Sequence, residues 1–520
     1  MHDLVIRGGT VYDGTGGAPL KADIAIDGAK ISAVGEVTGK GRTEIDATGQ
    51  IVTPGFVDIH THYDGQVTWD PYLQPSTFHG VTTAVMGNCG VGFAPCKPDE
   101  HDWLIGLMEG VEDIPGTALA EGIDWRWESF PEYMKAVEES PLALDIGLQV
   151  PHGALRAYVM GQRGADLEPA NDDDIKQMSE LVVDALEAGA LGFSTSRTEK
   201  HRDKNGAHTP SFKAEQAELH GIAAAMGKAD KGVIQLIADF WDFEPEFAML
   251  RGMVEVSGRP LSLTIEQDDR HPDIWKKVLG GIGDAAAKGL PMRGQVPPRP
   301  TGVLMGLTST LNPFLLHQTF RSIAHLPLEQ QVKELRDPAF RAKLLAEEPD
   351  YPEGQIITML CTAYHKMFQL GDPPNYEPAP EDSAGAVAEA SGKSPREQVL
   401  DWMLERDGNA LLYFPLMNYV SGSLDDVHTM MTHPNIAFGL GDGGAHVGIL
   451  CDASFPSTLL THWGRDRTRG PKLPLEWLIH GQTKANAEIG RRQTAHPEGK
   501  RLHRHHHLRR RRFQERCSDR

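Results

Sequence analysis

The sequence predicts an α/β fold, a (β/α)8 (TIM) barrel preceded by a small β domain. From residue 51 onward, apolar runs alternate with stretches of helical periodicity, which is the pattern of βα units around a parallel sheet. Eight runs are candidate strands, at residues 51–60, 81–87, 143–150, 189–194, 232–238, 260–266, 291–296 and 436–441. Eight such units predict a barrel whose chemistry lies at the carboxyl ends of the strands.

Residues 1–50 carry a different pattern. Short strand-like runs occur at residues 4–7, 22–26, 30–34 and 43–47, and Gly-rich turns separate them. This spacing leaves no room for helices, so we expect a small β-sandwich-like domain here.

Two helical stretches between the barrel strands are well marked. Residues 172–186 have helical periodicity, Asn171 precedes them as a candidate cap, and three aspartates follow in the first turn. An Asn cap and acidic residues at this end both stabilise a helix. Residues 213–228 form the second helical stretch.

A long segment, about residues 300–435, separates the seventh and eighth candidate strands. It contains a charged helical stretch at residues 328–348 and a Pro/Glu/Ala/Ser-rich stretch at residues 373–394. Loops of this length usually carry their own structure or a function. We interpret the segment as a lid or substrate-specificity insertion within a barrel domain of residues 51–490.

The charge balance argues against some partners. The chain of 520 residues has 51 Lys and Arg against 72 Asp and Glu, a formal charge of −21. An acidic surface disfavours nucleic acid or an anionic membrane as the main partner. The sequence also has no apolar run of about 18 residues, the length that would suggest a membrane span.

The cysteines and the first residues favour a cytoplasmic location. Five cysteines are scattered along the chain, at Cys89, Cys96, Cys361, Cys451 and Cys517. Few, scattered cysteines are typical of free thiols in a reducing compartment. Residues 1–9 have the pattern of a strand and turn, not that of a secretory signal.

The last residues, 491–520, form a basic tail with almost no apolar periodicity. We expect this tail to be disordered. Its basic block at residues 504–512 is either a polybasic arm or a tail without an evolved role, and a basic block alone is a weak motif.

A pair of histidines ends the first barrel strand. His60 and His62 are two residues apart, so their side chains point to the same face of the strand. Two imidazoles at the end of a buried strand form half of a divalent-metal site. The alternative is a pair of polar residues that only cap the strand.

Two further candidate ligands follow other strands. Cys89 comes after the second strand, where it is either a soft zinc ligand or a small buried apolar residue. Asp442 comes after the eighth strand, between two glycines that let its backbone approach a ligand closely. It is either a metal ligand and proton acceptor or an Asp that serves only a Gly-rich turn.

Weaker candidates lie on the same predicted face. Arg197 and Ser194 follow the fourth strand, where an Arg can clamp a carboxylate or form an ordinary ion pair. His152 follows the third strand and either orients substrate or is a structural histidine. His446 follows Asp442 closely and is a further substrate-binding candidate.

The motifs together resemble the amidohydrolase superfamily. The supporting sequences are Pro-Gly-Phe-Val-Asp-Ile-His-Thr-His at residues 54–62 and Gly-Asp at residues 441–442. More narrowly, the chain looks like the N-acyl-D-amino-acid deacylase (D-aminoacylase) group, because of the segments at residues 80–90, 152–156, 189–195 and 443–446. The resemblance spans residues 1 to about 490.

The resemblance implies a zinc hydrolase that cleaves the amide bond of a small N-acyl amino acid. In that family, metal-bound water attacks the amide carbonyl. His60 and His62 match the ligands of the first strand, Cys89 matches the cysteine ligand, and Asp442 matches the metal-binding general base. A preference for D over L substrates rests on the resemblance alone.

The chain departs from the family at two places. The family has metal-binding histidines after strands five and six, but residues 232–240 and 261–269 contain none. Asp239, Glu266 and Gln267 are the residues available to replace these histidines as ligands. The number of zinc ions, one or two, is therefore open. The expected C-terminal strands are also absent, which predicts an incomplete β domain with an unpaired edge.

Three functions are therefore compared. The leading hypothesis is hydrolysis of N-acyl-D-amino acids, with Asp442 as the proton acceptor. The second keeps the barrel and metal but cleaves a cyclic or other amide, which the fold cannot distinguish. The third is a catalytically impaired barrel that serves in binding or assembly, and the missing histidines support it.

Overall fold

The computed structural model describes residues 1–353, 355–450 and 452–491. Its first part is a sheet of five strands, β1 His2–Val11, β2 Leu20–Asp27, β3 Lys30–Gly35, β4 Gly41–Asp46 and β5 Ile51–Val52. The order is β3-β2-β1-β4, and β5 also pairs with β1. Two small apolar clusters, around Val5 and around Val11, stabilise this sheet.

The second sheet is the parallel barrel. Its strands are β6 Phe56–Asp58, β7 Val81–Met86, β8 Asp145–Pro151, β9 Gly192–Arg197, β10 Val233–Ala238, β11 Leu261–Thr264, β12 Met292–Val296 and β16 Ile436–Phe438. Each strand neighbours the next in this order. All eight predicted strands are present in the predicted order, so the barrel prediction is confirmed.

One predicted strand is divided between the two sheets. Residues 51–60 were expected to form one barrel strand, but Ile51 and Val52 pair with Thr10 and Val11 of β1. Pro54 has no backbone N–H to donate to a sheet, which separates β5 from β6. At Gly55 a Cβ would lie 2.0 Å from Oγ1 of Thr82, so only glycine allows this close approach.

Backbone contacts join the first and last strands and close the barrel. Thr61 pairs with Gly443. The N–H of His62 donates to the carbonyl of Gly443 at 2.8 Å, and the N–H of Asp442 donates to the carbonyl of His60 at 3.0 Å. From outside, the Asn486 amide donates to the carbonyls of Val57 (2.9 Å) and Phe438 (2.8 Å). We call this junction the barrel seam.

Helices surround the barrel. Those before the insertion are α1 His101–Glu112, α2 Gly116–Gly122, α3 Phe130–Glu139, α4 His152–Met160, α5 Gln162–Ala165, α6 Asp172–Ala188, α7 Gln216–Ala229, α8 Phe243–Ser257 and α9 Ile274–Ala287. The predicted helices 172–186 and 213–228 correspond to α6 and α7. Their apolar faces pack onto the sheet and form one continuous core.

Asn171 caps α6, as the sequence predicts. Its side chain accepts hydrogen bonds from the N–H groups of Asp173 and Asp174, both at 2.9 Å. Replacing Asn171 by alanine should cost about 1 kcal/mol locally. We expect the amides of the first turn to exchange with solvent about fivefold faster, measured by hydrogen exchange. The exposed Gln177→Ala change on the same helix serves as control, and equal exchange in both variants would contradict the prediction.

The insertion has its own sheet and core. Its strands are β13 Gly302–Met305, β14 Phe368–Gln369 and β15 Leu412–Pro415, in the antiparallel order β13-β15-β14. Its helices are α10 Gln318–Arg321, α11 Leu328–Arg336, α12 Pro338–Ala346, α13 Ile356–Thr362, α14 Ala384–Ser391 and α15 Pro395–Met403. A buried apolar cluster that includes Val303 and Phe414 holds them together. The insertion is therefore a structured unit, and its role as a lid stays a prediction.

The predicted helix at residues 328–348 is two helices. The chain breaks at Asp337, whose side chain accepts hydrogen bonds from the N–H groups of Ala339 and Phe340 at 3.0 and 2.9 Å. Pro338 then occupies the first position of α12, where its missing N–H costs nothing. A cap followed by proline starts a new helix, which the apolar periodicity alone did not indicate.

The remaining helices follow the insertion. They are α16 Asp425–Met431, α17 Phe455–Thr458, α18 Leu475–His480 and α19 Asn486–Arg491. None of the helices in the described ranges is both long and apolar enough to cross a membrane. Apart from its first residue, the predicted basic tail lies outside the described residues, and the unpaired edge stays a prediction.

Candidate metal centre

Four predicted residues meet at the carboxyl ends of the barrel strands. His60, His62 and Cys89 are buried, and one ligand atom of each lies within 4.8 Å of the others. Oδ1 of Asp442 lies 3.6 Å from Nε2 of His60 and 3.6 Å from Nε2 of His62. The side chains that follow β6, β7 and β16 thus converge on one point.

Gln295 on β12 orients the ring of His60. Nδ1 of His60 donates to Oε1 of Gln295 at 2.7 Å, and the Gln295 amide donates to the Ser262 hydroxyl at 3.0 Å. Because Nδ1 carries the proton, the lone pair of Nε2 faces Sγ of Cys89 at 3.2 Å. Burial lowers the pKa of His60 to about 4, so the ring is neutral at neutral pH, as a metal ligand must be.

Glu112, at the end of α1, is the carboxylate behind the ring of His62, although Nδ1 of His62 makes no hydrogen bond to a described residue. Its Oε1 lies 3.3 Å from Nδ1 of His62. Burial opposes protonation of His62, but the charge of Glu112 and the contacts with Asp442 and Cys89 outweigh it and raise the pKa of His62 well above its ordinary value. A metal that binds here would therefore displace a proton from this ring. A carboxylate behind an imidazole fixes the ring and increases its basicity as a ligand.

Cys89 has an unusual backbone conformation. Its φ is +54°, which non-glycine residues adopt at a cost of about 1–3 kcal/mol. Its N–H donates to Oε1 of Gln235 on β10 at 2.8 Å, which holds the turn in place. Burial raises the pKa of the Cys89 thiol to about 11, so the thiolate requires a nearby cation.

Asp442 is half-buried, and its surroundings favour the ionised carboxylate. Burial alone would raise its pKa, but His62 and His60 hold the pKa of this carboxyl well below its usual range. Oδ1 is buried and makes no hydrogen bond to a described residue. The preceding residue, Gly441, packs closely against the side chain of Asp58. A Cβ at Gly441 would lie 2.0 Å from Oδ2 of Asp58, so only glycine fits at this position.

These donors fit a divalent metal. Two imidazole nitrogens, one sulfur and one carboxylate oxygen are the ligand types that zinc prefers. The Asp442 oxygen without a partner is a buried charge that a bound cation would satisfy. The geometry therefore supports a zinc site built from His60, His62, Cys89 and Asp442.

Two other predicted residues have structural partners. The Ser194 hydroxyl donates to the carbonyl of Gly87 at 2.5 Å and accepts from the N–H of Gly90 at 2.9 Å, so it supports the Cys89 turn. His152 contacts Thr195 Oγ1 at 2.9 Å and Glu218 Oε1 at 2.8 Å, and it is fully buried. Their predicted substrate contacts find no support in this geometry, because both side chains bind within the protein.

Arg197 does not have a free guanidinium. Its Nε and Nη2 donate to Glu246 at 2.5 and 3.1 Å, and its Nη1 donates to the carbonyl of Ala214 at 2.7 Å. We predicted this two-point pairing for a substrate carboxylate. In the structure, Arg197 makes it with the Glu246 side chain of the same protein. His446 does lie at the centre, with Nε2 3.6 Å from Oε2 of Glu112.

The proposed substitutes for the missing histidines have other partners. Asp239 accepts hydrogen bonds from the Thr198 hydroxyl (2.6 Å) and the Glu199 N–H (2.8 Å). The Gln267 amide donates to Asp426 at 2.7 Å. Within the described part of the chain, the cluster of ligand atoms that all lie within 4.8 Å of one another consists of His60, His62 and Cys89, and it includes none of these three substitutes.

Sequence reasoning missed several residues of the centre. His201 lies in the loop after β9, and its Nδ1 is 2.9 Å from the Ser196 hydroxyl. Burial lowers the pKa of His201 to about 3, and the charge of His62 is a further cause. Its position after the fourth predicted strand was the feature of the sequence that could have indicated it as a site residue. The sequence pattern did not indicate Glu112 or Gln295 as site residues, because their roles depend on tertiary packing.

Comparisons with known proteins agree with this architecture. A family model described as the amidohydrolase family matches residues 43–496. D-aminoacylase of Alcaligenes xylosoxydans xylosoxydans is 35% identical over 195 residues, which are 37% of this chain and 37% of that protein. N-acyl-D-glutamate deacylase of the same organism is 34% identical over 226 residues, 42% of this chain and 41% of that protein. The matched segments thus span well under half of these relatives.

Solved structures show the same fold. A crystal structure of D-aminoacylase has a TM-score of 0.59 at 22% identity, covering 94% of this chain and 86% of that chain. N-acyl-D-glutamate deacylase from Bordetella bronchiseptica, complexed with zinc and a phosphonate inhibitor, has a TM-score of 0.60 at 20% identity, with the same coverage. With its barrel, its ligand cluster and a family match over most of its length, the chain belongs to the amidohydrolase family and resembles its D-aminoacylase group.

Proposed function

We propose that the protein is a zinc-dependent hydrolase that cleaves the amide bond of N-acyl-D-amino acids. One observation carries the proposal: the half-buried carboxylate of Asp442 lies 3.6 Å from two imidazoles that cluster with a cysteine. The similarity to D-aminoacylase and to N-acyl-D-glutamate deacylase supports the substrate class.

The residues of the chain have separate roles in this reaction. His60, His62, Cys89 and Asp442 would hold the metal. Zinc, when bound, supplies a Lewis acid that polarises a carbonyl and lowers the pKa of water to about 7. The Asp442 carboxylate accepts the proton of the attacking water and returns it to the leaving amine.

The supporting residues keep this arrangement in place. Gln295 and Glu112 hold the two imidazoles in the orientation that a ligand needs. The three-residue cluster of His60, His62 and Cys89 favours one metal ion. We therefore propose a centre with a single zinc.

A substrate screen tests the function. The zinc-loaded protein is incubated with matched pairs of N-acetyl-D- and N-acetyl-L-amino acids and with cyclic amides, and metal content is measured on the same sample. We expect about one zinc per chain and hydrolysis of D substrates. Hydrolysis of cyclic amides alone would replace the proposal by the second hypothesis.

The absence of histidines on β10 and β11 favours one alternative, a barrel that binds without cleaving. The same sample distinguishes it. A protein without bound zinc, and without any gain of hydrolysis on adding zinc, would overturn the enzyme proposal.

Gln295 provides a test of the metal site itself. Replacing it by leucine removes the acceptor for Nδ1 of His60, so we expect zinc affinity to fall about 10- to 100-fold. Competition with a chelator of known affinity measures this change. Gln398→Leu, at a buried glutamine of the insertion, is the matched control. Equal zinc affinities in the two variants would mean that Gln295 does not position His60.

A further inference from the structure

A cavity opens at the carboxyl ends of β10 and β11, on the face of the barrel that carries the candidate metal centre. Trp241 and Asp239 line it from the loop after β10, Glu266 and Asp268 line it from the loop after β11, and Lys200 enters from the loop after β9. These three loops follow the carboxyl ends of barrel strands, as do the residues of the candidate metal centre, so the cavity and the centre lie on the same face of the barrel.

Among the residues that line this cavity, Lys200 provides the lysine or arginine side chain. Its Nζ lies 3.6 Å from Oδ2 of Asp268, beyond hydrogen-bond distance, and its side chain is 31% exposed. The ammonium makes no hydrogen bond to another described residue. A cation in this position has three donors available for a ligand.

The neighbouring carboxylates do not depend on Lys200. Asp268 accepts three hydrogen bonds from Arg270, two from the guanidinium at 3.2 and 3.1 Å and one from the backbone N–H at 2.8 Å. Glu266 accepts from the Thr301 hydroxyl at 2.5 Å. Asp239 is held by the Thr198 loop, as described above. Each carboxylate thus has its own donor.

The arginines of the same face are already paired. Arg197 binds Glu246, and Arg270 binds both Asp268 and Glu199. Arg299 is buried against Asp452 at 3.3 Å. Each would have to give up a hydrogen-bonded ion pair to bind a substrate, whereas Lys200 would give up only its longer 3.6 Å ion pair with Asp268.

We propose that Lys200 binds the α-carboxylate of the substrate, the role that Arg197 does not fill. This inference rests on the proposed function. In an N-acyl amino acid the carboxylate is one carbon away from the scissile amide nitrogen. When the amide lies at the metal centre, the carboxylate lies close by, and Lys200 reaches the same face of the barrel from the loop after β9. A charge-assisted hydrogen bond then selects substrates with a free carboxylate.

Kinetics on a matched substrate pair test the role of Lys200. The pair is N-acetyl-D-methionine and its primary amide, which differ only in the carboxylate. In Lys200→Met we expect KM for the acid to rise about 10- to 100-fold, with kcat within threefold and no change for the amide. Lys200→Arg should recover part of the preference for the acid. Lys204→Met, in the same loop and 50% exposed, is the matched control.

The outcomes separate this inference from the proposed function. If the acid is hydrolysed with the same KM in wild type and in folded Lys200→Met, the role of Lys200 is overturned while the function stands. If wild type hydrolyses neither compound, calorimetric binding of the acid decides. Binding that Lys200→Met abolishes would support Lys200 without the enzyme, and binding that is absent or unchanged would overturn it.

Discussion

Replacing Asp442 by asparagine should lower kcat for amide hydrolysis about a thousandfold. The change keeps the shape of the side chain but removes the carboxylate that accepts the proton of water, and general base catalysis contributes about 10²- to 10⁴-fold. Because the amide still has an oxygen that faces the two imidazoles, we expect the protein to bind zinc, with reduced affinity. Single-turnover kinetics at saturating zinc measure the loss.

The control for this variant is Asp184→Asn, an exposed aspartate on α6. It changes the net charge equally and should keep full activity. An Asp442→Asn enzyme that retains zinc and more than a tenth of the wild-type kcat would show that another group accepts the proton. His446 and His201 would then be the nearest candidates.

Replacing Glu218 by leucine should destabilise the barrel by about 3–5 kcal/mol. Glu218 on α7 is 1% exposed, contacts Nε2 of His152 at 2.8 Å and forms an ion pair with Arg156. Arg156 is itself 1% exposed, so removal of Glu218 leaves an uncompensated buried charge. Chemical denaturation, followed by tryptophan fluorescence, measures the change.

A double variant isolates the cause. Arg156→Leu in the Glu218→Leu background removes the orphaned charge, and we expect it to recover most of the lost stability. If the double variant is as unstable as the single one, lost packing rather than a buried charge explains the effect.

The stabilisation by Glu218 should depend on pH. Burial opposes its ionisation, but the hydrogen bond from His152 and the charges of His152 and Arg156 outweigh burial and lower the pKa of Glu218. A carboxyl whose folded-state pKa is lowered stabilises the protein above its unfolded-state pKa. The difference between wild type and the double variant should therefore shrink as pH falls through the lowered pKa of Glu218.

The barrel strands were predictable because each is a continuous apolar run, and a run of that kind is buried on both faces. The metal ligands were predictable because carboxyl ends of parallel strands meet at one face. His60, Cys89 and Asp442 thus follow from strand positions alone. The division of the first predicted strand was not found, because the apolar pattern continues across Pro54.

The substrate residues were less predictable, because side-chain pairing is tertiary. Arg197 pairs with Glu246, which is 49 residues away, and His152 pairs with Glu218, which is 66 residues away. A strand-end position shows that a side chain reaches the catalytic face. It does not show which partner the side chain finds there.

The barrel seam has a consequence for how the molecule is made. The same two backbone hydrogen bonds that join β6 to β16 also set the positions of His60, His62 and Asp442. Chains fold in the direction of synthesis, N-terminal parts first. A nascent chain that has emerged only as far as the insertion holds two imidazoles and a thiol but no Asp442. Under the proposed function, the chain therefore becomes active in one step, when the final strand is in place, and the hydrolysis rate reports on completed folding.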